Sequence, residues 1–440
     1  MTPSITAEDQ TALTSDEARR YPAGLRLAYL TSRYPAVSHT FIFREIAALR
    51  LLGVTVEASS VNPPDRPTNQ LPECEQVEEA RVFYIKRTPV HRIVTAHLRT
   101  LITRPLALLR GLGLILSHAG TNIKQLGRWL GYLAEAVIVG DWLRRSGCRH
   151  LHVHFATEVA NVGYLAAKIF GIDLTLTVHG PDEFYDVTRH ALAKKIEAAS
   201  LVCCISYFTR GQLMKLTAPD QWHKFHVVRL GVDIREFTPQ PFRPLPETFE
   251  VLCVGRLVPA KGQHILLRSM LELSTLGYNV RLRLVGDGPD RESLERYCRE
   301  HGLEAQVCFE GAVNQDRVRD YFRSADLFVL ASFAEGIPVV LMEAMASEVA
   351  CISTSITGIP ELIRNGIDGV LVPSSDEHSL TKAIVTLIDN PDLRRRLGKA
   401  GRARVADEFE MNKNVATLRS LFCDHAAAEH LVASQLQANA

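Results

Sequence analysis

Several things are scarce in this chain of 440 residues, and each scarcity removes a class of explanation. Net charge is nearly absent: 50 basic against 49 acidic residues leave +1 with histidine neutral, so there is no global electrostatic pull toward nucleic acid or acidic partners. The nine cysteines are odd in number and scattered, with no C-x-x-C pair. This excludes a disulfide framework and fits reduced thiols in a cytoplasmic protein; the adjacent Cys203 and Cys204 read as core residues of an apolar strand. Long apolar runs are missing. The most apolar stretch, residues 105–117, is broken by Arg110 and falls short of the roughly 20 residues needed to span a bilayer. Residues 1–20 are polar with no apolar core, so they read as neither a secretory signal nor a span, and residues 1–24 are expected to be a disordered tail. Acid is missing locally: residues 86–134 contain no Asp or Glu, while Lys86, Arg87, Arg92, Arg99, Arg104, Arg110, Lys124 and Arg128 are spread through apolar material.

The remainder is ordinary globular material, 46% hydrophobic and 22% charged, and long enough for two domains. From Leu25 onward, short apolar runs alternate with amphipathic stretches. Residues 25–31, 54–58, 80–85, 150–156, 174–179 and 201–206 read as strands, and residues 41–51 place Phe41, Ile42, Ile46 and Leu49 on one helical face. This alternation predicts parallel sheets with right-handed crossovers. Pro239, Pro241, Pro244 and Pro246 mark residues 237–248 as a connector. It separates a first domain, 25–236, from a second, 249–410, in which a new strand–helix series begins and residues 380–409 are helical and basic.

The chain is organised around residues 331–346. They follow the apolar run 327–330, a buried strand, and end in strong helix formers. Gly336 permits a tight turn and Pro338 suits a first helical position, so the amides near Gly336, Ile337 and Val339 face whatever lies above the strand end. In an open α/β sheet that place is a ligand crevice, and a helix N-terminus there favours an anion such as phosphate. Glu335 and Glu343 flank it. Paired acids beside an anion site make sense as acceptors for hydroxyls, which points to a sugar.

With seven residues between those glutamates, the stretch resembles the Glu-x7-Glu signature of retaining glycosyltransferases with the GT-B fold, in particular glycosyltransferase family 4. Gly255, Arg256, Leu257, Lys261 and Gly262 are similar to that family's Gly-Arg-Leu-x-x-x-Lys-Gly motif, and His179, Gly180 and Asp182 to its His-Gly-x-Asp. The loop 32–41, with Tyr34, Pro35, Ser38, Thr40 and Phe41, is similar to that of exopolysaccharide and colanic-acid glycosyltransferases. The resemblance implies two facing Rossmann-like domains with parallel sheets, an active-site cleft between them, and a last helix, 411–440, packing back on the first domain. It implies transfer with retention and without a metal, from a nucleotide diphosphate sugar used as co-substrate, with no other cofactor. Arg256 and Lys261 would hold the departing diphosphate, where negative charge develops. Glu335 would accept from the transferred sugar and Glu343 from the ribose, with Gly255, Gly336, Ile337 and Pro338 around the donor. His179 would contact the donor sugar; Ser38, His39, Thr40 and Asp182 would lie on the acceptor side.

No Asp-x-Asp occurs, the carboxylate spacing by which many other glycosyltransferases hold a divalent ion. His150, His152 and His154 share one strand face, read as structural histidines of a buried strand rather than zinc ligands. Asp287 and Asp290 belong to a turn. Two positions depart from the family pattern. His39 stands where an acid is common. Glu348 stands where glycine is usual and takes a positive φ less cheaply, which bears on the local turn and on the placement of Glu343.

The acid-free segment 86–134 is expected to form basic amphipathic helices lying peripherally on the inner face of the cell membrane, a dock for a saccharide or lipid-linked saccharide acceptor. Ordinary solvated helices are the alternative there, as helix capping by Ser38 or Thr40 is for their loop. The expected activity is sugar transfer in cell-surface or exopolysaccharide biosynthesis. A same-fold phosphorylase or sugar-phosphate synthase, or a non-catalytic nucleotide-sugar-binding subunit, remains open from sequence.

Overall fold

A computed structural model of the chain describes residues 24–120 and 122–438, the side chains of Ser38, Ala119 and residues 429–438 excepted. Residues 1–23 of the expected tail therefore lie outside the described residues. Thirteen strands form two sheets among the described residues. In the first, β1 (Arg26–Arg33), β2 (Thr55–Asn62), β3 (Phe83–Tyr84), β4 (His150–His154), β5 (Asp173–Val178), β6 (Leu201–Cys204) and β7 (Phe225–Val227) run in the order β3-β2-β1-β4-β5-β6-β7. In the second, β8 (Phe249–Val254), β9 (Val280–Val285), β10 (Val307–Gly311), β11 (Leu327–Leu330), β12 (Ala350–Thr354) and β13 (Val370–Val372) run β10-β9-β8-β11-β12-β13. Every pairing is parallel. Both sheets are thus doubly wound, and their strand order reverses between β1 and β4 and between β8 and β11. Crevices outside the strand ends at such reversals are where open α/β sheets take ligands.

Burial follows from this topology. The central strands β4 and β11 are buried along their whole length, as strands covered by helices on both faces must be. The final helix, Met411–Ala438, leaves the second domain and lays Val415, Leu418 and Phe422 into the first domain's core beside Ile42, Ile46 and Leu49.

Two local expectations are corrected. Residues 80–85 yield only the two-residue β3, because the helix Glu73–Glu79 runs into them and the Ala80 N–H bonds to the Gln76 carbonyl. Residues 380–409 are helical as expected, in two helices, Glu377–Asp389 and Pro391–Glu408; Pro391 forces Asn390 out of the helical region (φ −124°, ψ 77°). Pro338 is the N-cap of the helix Val339–Ala346, one residue before the expected first position.

That helix ends in the conformation glycine would favour, without glycine. Glu348 has φ 60°, its N–H bonds to the Met345 carbonyl (3.0 Å), and the Val349 N–H to Ala344 (3.1 Å). These are the bonds of a left-handed helix terminus. Gly398 makes room for it, since a Cβ there would sit 2.2 Å from the Glu348 carbonyl oxygen. The turn is therefore kept rather than shifted, and the strain is local. Left-handed backbone costs a non-glycine residue roughly 1–2 kcal/mol. Glu348→Gly is expected to raise stability by about 1 kcal/mol in urea unfolding; an unchanged or lowered midpoint would refute the strain.

Candidate active site

At the second domain's reversal, the loop after β8 and the loop after β11 are pressed together by a glycine. Gly262 (φ 62°) approaches the Ala331 carbonyl so closely that a Cβ would lie 2.1 Å from its oxygen. This places Lys261 against Glu335: Nζ donates to Oε1 at 2.5 Å, and Ser332 Oγ donates to the same oxygen at 2.7 Å. Thr357 Oγ1 donates to the Glu335 main-chain carbonyl. One carboxylate oxygen is thus saturated, while Oε2 has no hydrogen-bond partner among the described residues and is free to accept a hydroxyl. Arg256 is exposed on the same loop and makes no ion pair with described residues. The backbone N–H groups of Gly336, Ile337 and Val339, at the start of the helix Val339–Ala346, also make no hydrogen bond among the described residues. A chemically coherent set results: two cations and three amide donors suited to an anion, beside a carboxylate suited to a hydroxyl.

Glu343, on the buried side of that helix, accepts from Gln315 Nε2 (2.7 Å) and from Arg44 Nη1 (3.3 Å). Arg44 belongs to the first domain's helix Thr40–Leu51 and also contacts Glu236 (3.4 Å), which pairs with Arg319 (2.5 Å). Burial pushes the Glu343 carboxyl up from its ordinary range; Arg44 and Arg319 oppose this.

The first domain meets this site main chain to main chain. A Cβ on Gly336 would lie 2.1 Å from the His179 carbonyl oxygen, and one on Gly180 would lie 2.9 Å from Gly336 Cα. His179 is 8% exposed, between the rings of Phe155 (4.2 Å) and Phe41 (5.0 Å). Behind it, the buried Glu183 carboxylate accepts from the Ala156, His179 and Gly180 N–H groups. Burial pushes Glu183 up, opposed by those donors and by Lys195, whose ammonium donates to the Ala156 (2.7 Å) and Thr157 (2.6 Å) carbonyls. A second clamp crosses the domains: the Glu361 carboxylate accepts from the Tyr207 (2.9 Å) and Phe208 (2.7 Å) N–H groups at the start of the helix Tyr207–Leu216. Carboxylates are stabilising at that end of a helix.

The structure therefore brings His179, Gly255, Arg256, Lys261, Glu335, Gly336, Ile337, Pro338 and Glu343 to facing edges of the two domains. The acceptor-side set is more dispersed. His39 lies in the cleft, its ring 4.9 Å from Phe155 and its buried Nδ1 without a partner among the described residues. Burial pushes its pKa down, the Arg33 backbone opposes this, and Arg256 adds to the lowering. Thr40 is the first helical residue and gives no side-chain cap, so capping does not explain it. Asp182 is exposed at the rim. The Ser38 side chain lies outside the described residues.

The strand histidines pack on β5, with His150 and His152 bonded to Thr175 and His152 also to Thr177. Among the described residues, Glu45, His152 and His154 offer atoms within 4.8 Å of one another, metal-like spacing that these hydrogen bonds already occupy. Arg44, Glu45, Lys195, Ser332, Thr357 and Glu361 were not assigned roles from sequence. Their partners lie up to 299 positions away, and of the six only Ser332 falls within the 331–346 stretch that the sequence singles out.

Two facing doubly wound domains with a cation and carboxylate site in the cleft are the GT-B form of a sugar-transferring enzyme. Residues 235–404 match the family model described as glycosyl transferases group 1. It is similar to WcaL of Escherichia coli (strain K12), named as a colanic acid biosynthesis glycosyltransferase, at 26% identity over 418 residues, 90% of this chain and 99% of that one. Among solved structures, sucrose-phosphate synthase from Thermosynechococcus elongatus shares the fold with a TM-score of 0.71 at 19% identity, over 92% of this chain and 100% of that one. Anabaena Alr3699/HepE in complex with UDP-glucose does so at 0.68 and 18%, over 92% and 100%.

The Glu361 clamp can be tested directly. Glu361→Ala is expected to cost about 1 kcal/mol, as loss of a helix N-cap typically does. Amide exchange at Tyr207 and Phe208 should then quicken about fivefold with the rest of the helix unaffected; unchanged exchange would deny the clamp.

Proposed function

We propose that the chain is a retaining, metal-independent hexosyltransferase that moves a sugar from a nucleotide diphosphate sugar to a glycan or lipid-linked saccharide in cell-surface polysaccharide biosynthesis. The observation that carries this reading is the meeting of Lys261, Arg256 and Glu335 at the β8/β11 reversal, opposite His179. In it, Arg256 and Lys261 take the diphosphate, stabilising charge as the glycosidic bond breaks, and the amides of Gly336 and Ile337 add donors. Glu335 Oε2 accepts from the sugar, and Glu343 accepts from the ribose when the Arg44 contact yields. No protein nucleophile is assigned: the acceptor oxygen attacks from the face the diphosphate leaves, and the leaving phosphate oxygen takes its proton. The two cations supply the charge a divalent ion would otherwise bring. The name of WcaL supports the polysaccharide setting, and the UDP-glucose bound by Alr3699/HepE supports the donor class.

Removing one stabiliser of developing charge typically costs about 10²–10³ in rate. Lys261→Ala is accordingly expected to lose at least about 10²-fold of donor turnover, followed by mass spectrometry across uridine, guanosine and adenosine diphosphate sugars with and without chelator. One donor turned over equally in both conditions, and lost in the variant, is the result expected. Retained turnover in Lys261→Ala, or turnover that chelator abolishes, would contradict the reading.

Peripheral membrane contact belongs to the same proposal. The helices Val90–Thr103 and Pro105–Ala119 leave Val90, Leu98, Ile102, Leu106, Leu109 and Leu116 exposed, and among the described residues no single helix is long and apolar enough to cross a membrane. Of the eight basic residues, Arg99 is engaged by Asp141, Arg87 by Glu79 and Lys86 by Asn62. Arg92, Arg110, Lys124 and Arg128 make no ion pair with described residues. Exposed apolar side chains and cations without an ion-pair partner among the described residues, on consecutive helices, fit an anionic lipid surface, at about 1 kcal/mol per basic residue. Reversing those four charges to Glu should abolish sedimentation with phosphatidylglycerol vesicles while leaving the circular dichroism unchanged; undiminished sedimentation would refute the contact.

A further inference from the structure

His179 is held from behind by a chain of hydrogen bonds that none of the recognised motifs contains. Its Nε2 lies 3.0 Å from Nδ1 of His154, and Nε2 of His154 lies 3.0 Å from Oε1 of Glu45. Tyr29 OH donates to the same Glu45 oxygen at 2.8 Å. Tyr29 and His154 are fully buried and Glu45 is 8% exposed, so water does not compete for these bonds. The rings are locked sideways as well. Phe155 ends β4 in a left-handed conformation, φ 67°, and lays its ring 4.2 Å from His179 at 30°. A non-glycine residue held there stores strain that the surroundings must impose, a feature that concentrates at functional sites.

Proton bookkeeping then orders the chain. A carboxylate can only accept, so Glu45 requires the proton of His154 on Nε2. Carrying that one proton, His154 offers a lone pair at Nδ1, which requires the proton of His179 on Nε2. Burial, with His154 and His39 nearby, pushes the His179 pKa well below its usual value, so this ring carries a single proton. Nδ1 of His179 is left as an acceptor, and it has no hydrogen-bond partner among the described residues.

We propose that Glu45 is a positioning residue for the donor sugar: through His154 it fixes His179 in the tautomer whose Nδ1 accepts a hydrogen bond from a sugar hydroxyl. This rests on the reading that the donor sugar lies beside His179. The arrangement explains why a carboxylate and two imidazoles occupy a core position where apolar residues would pack without polar cost. It also uses what sets histidine apart, since the bond made by one ring nitrogen decides what the other offers.

The test reads the tautomer itself, by nitrogen NMR of the full chain labelled with 15N-histidine, the His179 signals being identified by their loss in His179→Asn. In the unsubstituted protein, Nε2 should be protonated and Nδ1 should show the shift of an unprotonated nitrogen. Glu45→Met, close to Glu in length but unable to accept as a carboxylate, should release or invert that order. Tyr29→Phe keeps Glu45 and should leave it unchanged. Because Glu45 is buried, His154→Asn provides a second break of the same relay and should likewise release His179. A His179 protonated on Nδ1 in the unsubstituted protein would overturn the proposal, as would one whose signals survive both breaks unchanged. Stoichiometric zinc bound through His154 would overturn it too, because a metal would then set the ring. The readout needs no donor. A failed relay would leave donor turnover intact, whereas a failed functional reading would leave the tautomer order in place without turnover.

Discussion

The architecture depends on one backbone contact between the domains. Gly336, which opens the donor-side helix, lies against the His179 carbonyl and Gly180, with no space for a Cβ on either glycine. Any side chain at Gly336 would drive the two sheets apart at the point where their ligand crevices face each other. Gly358 extends the requirement: a Cβ there would stand 2.4 Å from the Gly336 carbonyl oxygen. Three glycines, Gly180, Gly336 and Gly358, thus define how close the facing surfaces of the two domains come. The electrostatic clamps, Glu361 on the Tyr207–Leu216 helix and Arg44 on Glu343, act on a geometry that these contacts already set.

Within that geometry, charge is arranged as if waiting for a ligand. Lys261 is held by Glu335, and Arg44 by Glu343 and Glu236, so cations and carboxylates that would serve a diphosphate and a sugar satisfy each other meanwhile. Such pairs lower the cost of keeping charge in a partly dry cleft, since a buried charge without a partner is strongly destabilising. Arg256 stands outside this arrangement, exposed on its loop. Buried residues behind the cleft have a different task. Glu183 and Lys195 tie down the ends of β4 and β5 through backbone groups, so the chain that carries His179 is anchored on both sides.

Much of this was legible in the sequence because it is local. Short apolar runs separated by amphipathic stretches mark the parallel sheets, and the residues flanking strand ends mark the crevice: Arg256 and Lys261 after β8, Glu335 after β11, His179 after β5. Pairings were not legible. Glu45 meets His154 across 109 positions and Arg44 meets Glu343 across 299, and neither separation leaves a periodic trace. The misread elements failed for local reasons. A helix ran into the segment read as a third strand, and Pro338 caps the helix that it was expected to begin. Glu348 shows the opposite case, where a residue disfavoured for its conformation is held in it by the surrounding turn.

The central claim is that the Lys261–Glu335 pair stands in for the donor. Its most direct test is a crystal structure of the full chain with uridine or guanosine diphosphate bound. The account requires the diphosphate within hydrogen-bonding distance of Arg256 and Lys261, with the Lys261 ammonium turned from Glu335 toward a phosphate oxygen. A nucleotide seated elsewhere, or bound in the cleft with the Lys261–Glu335 pair intact and no phosphate near either cation, would contradict it.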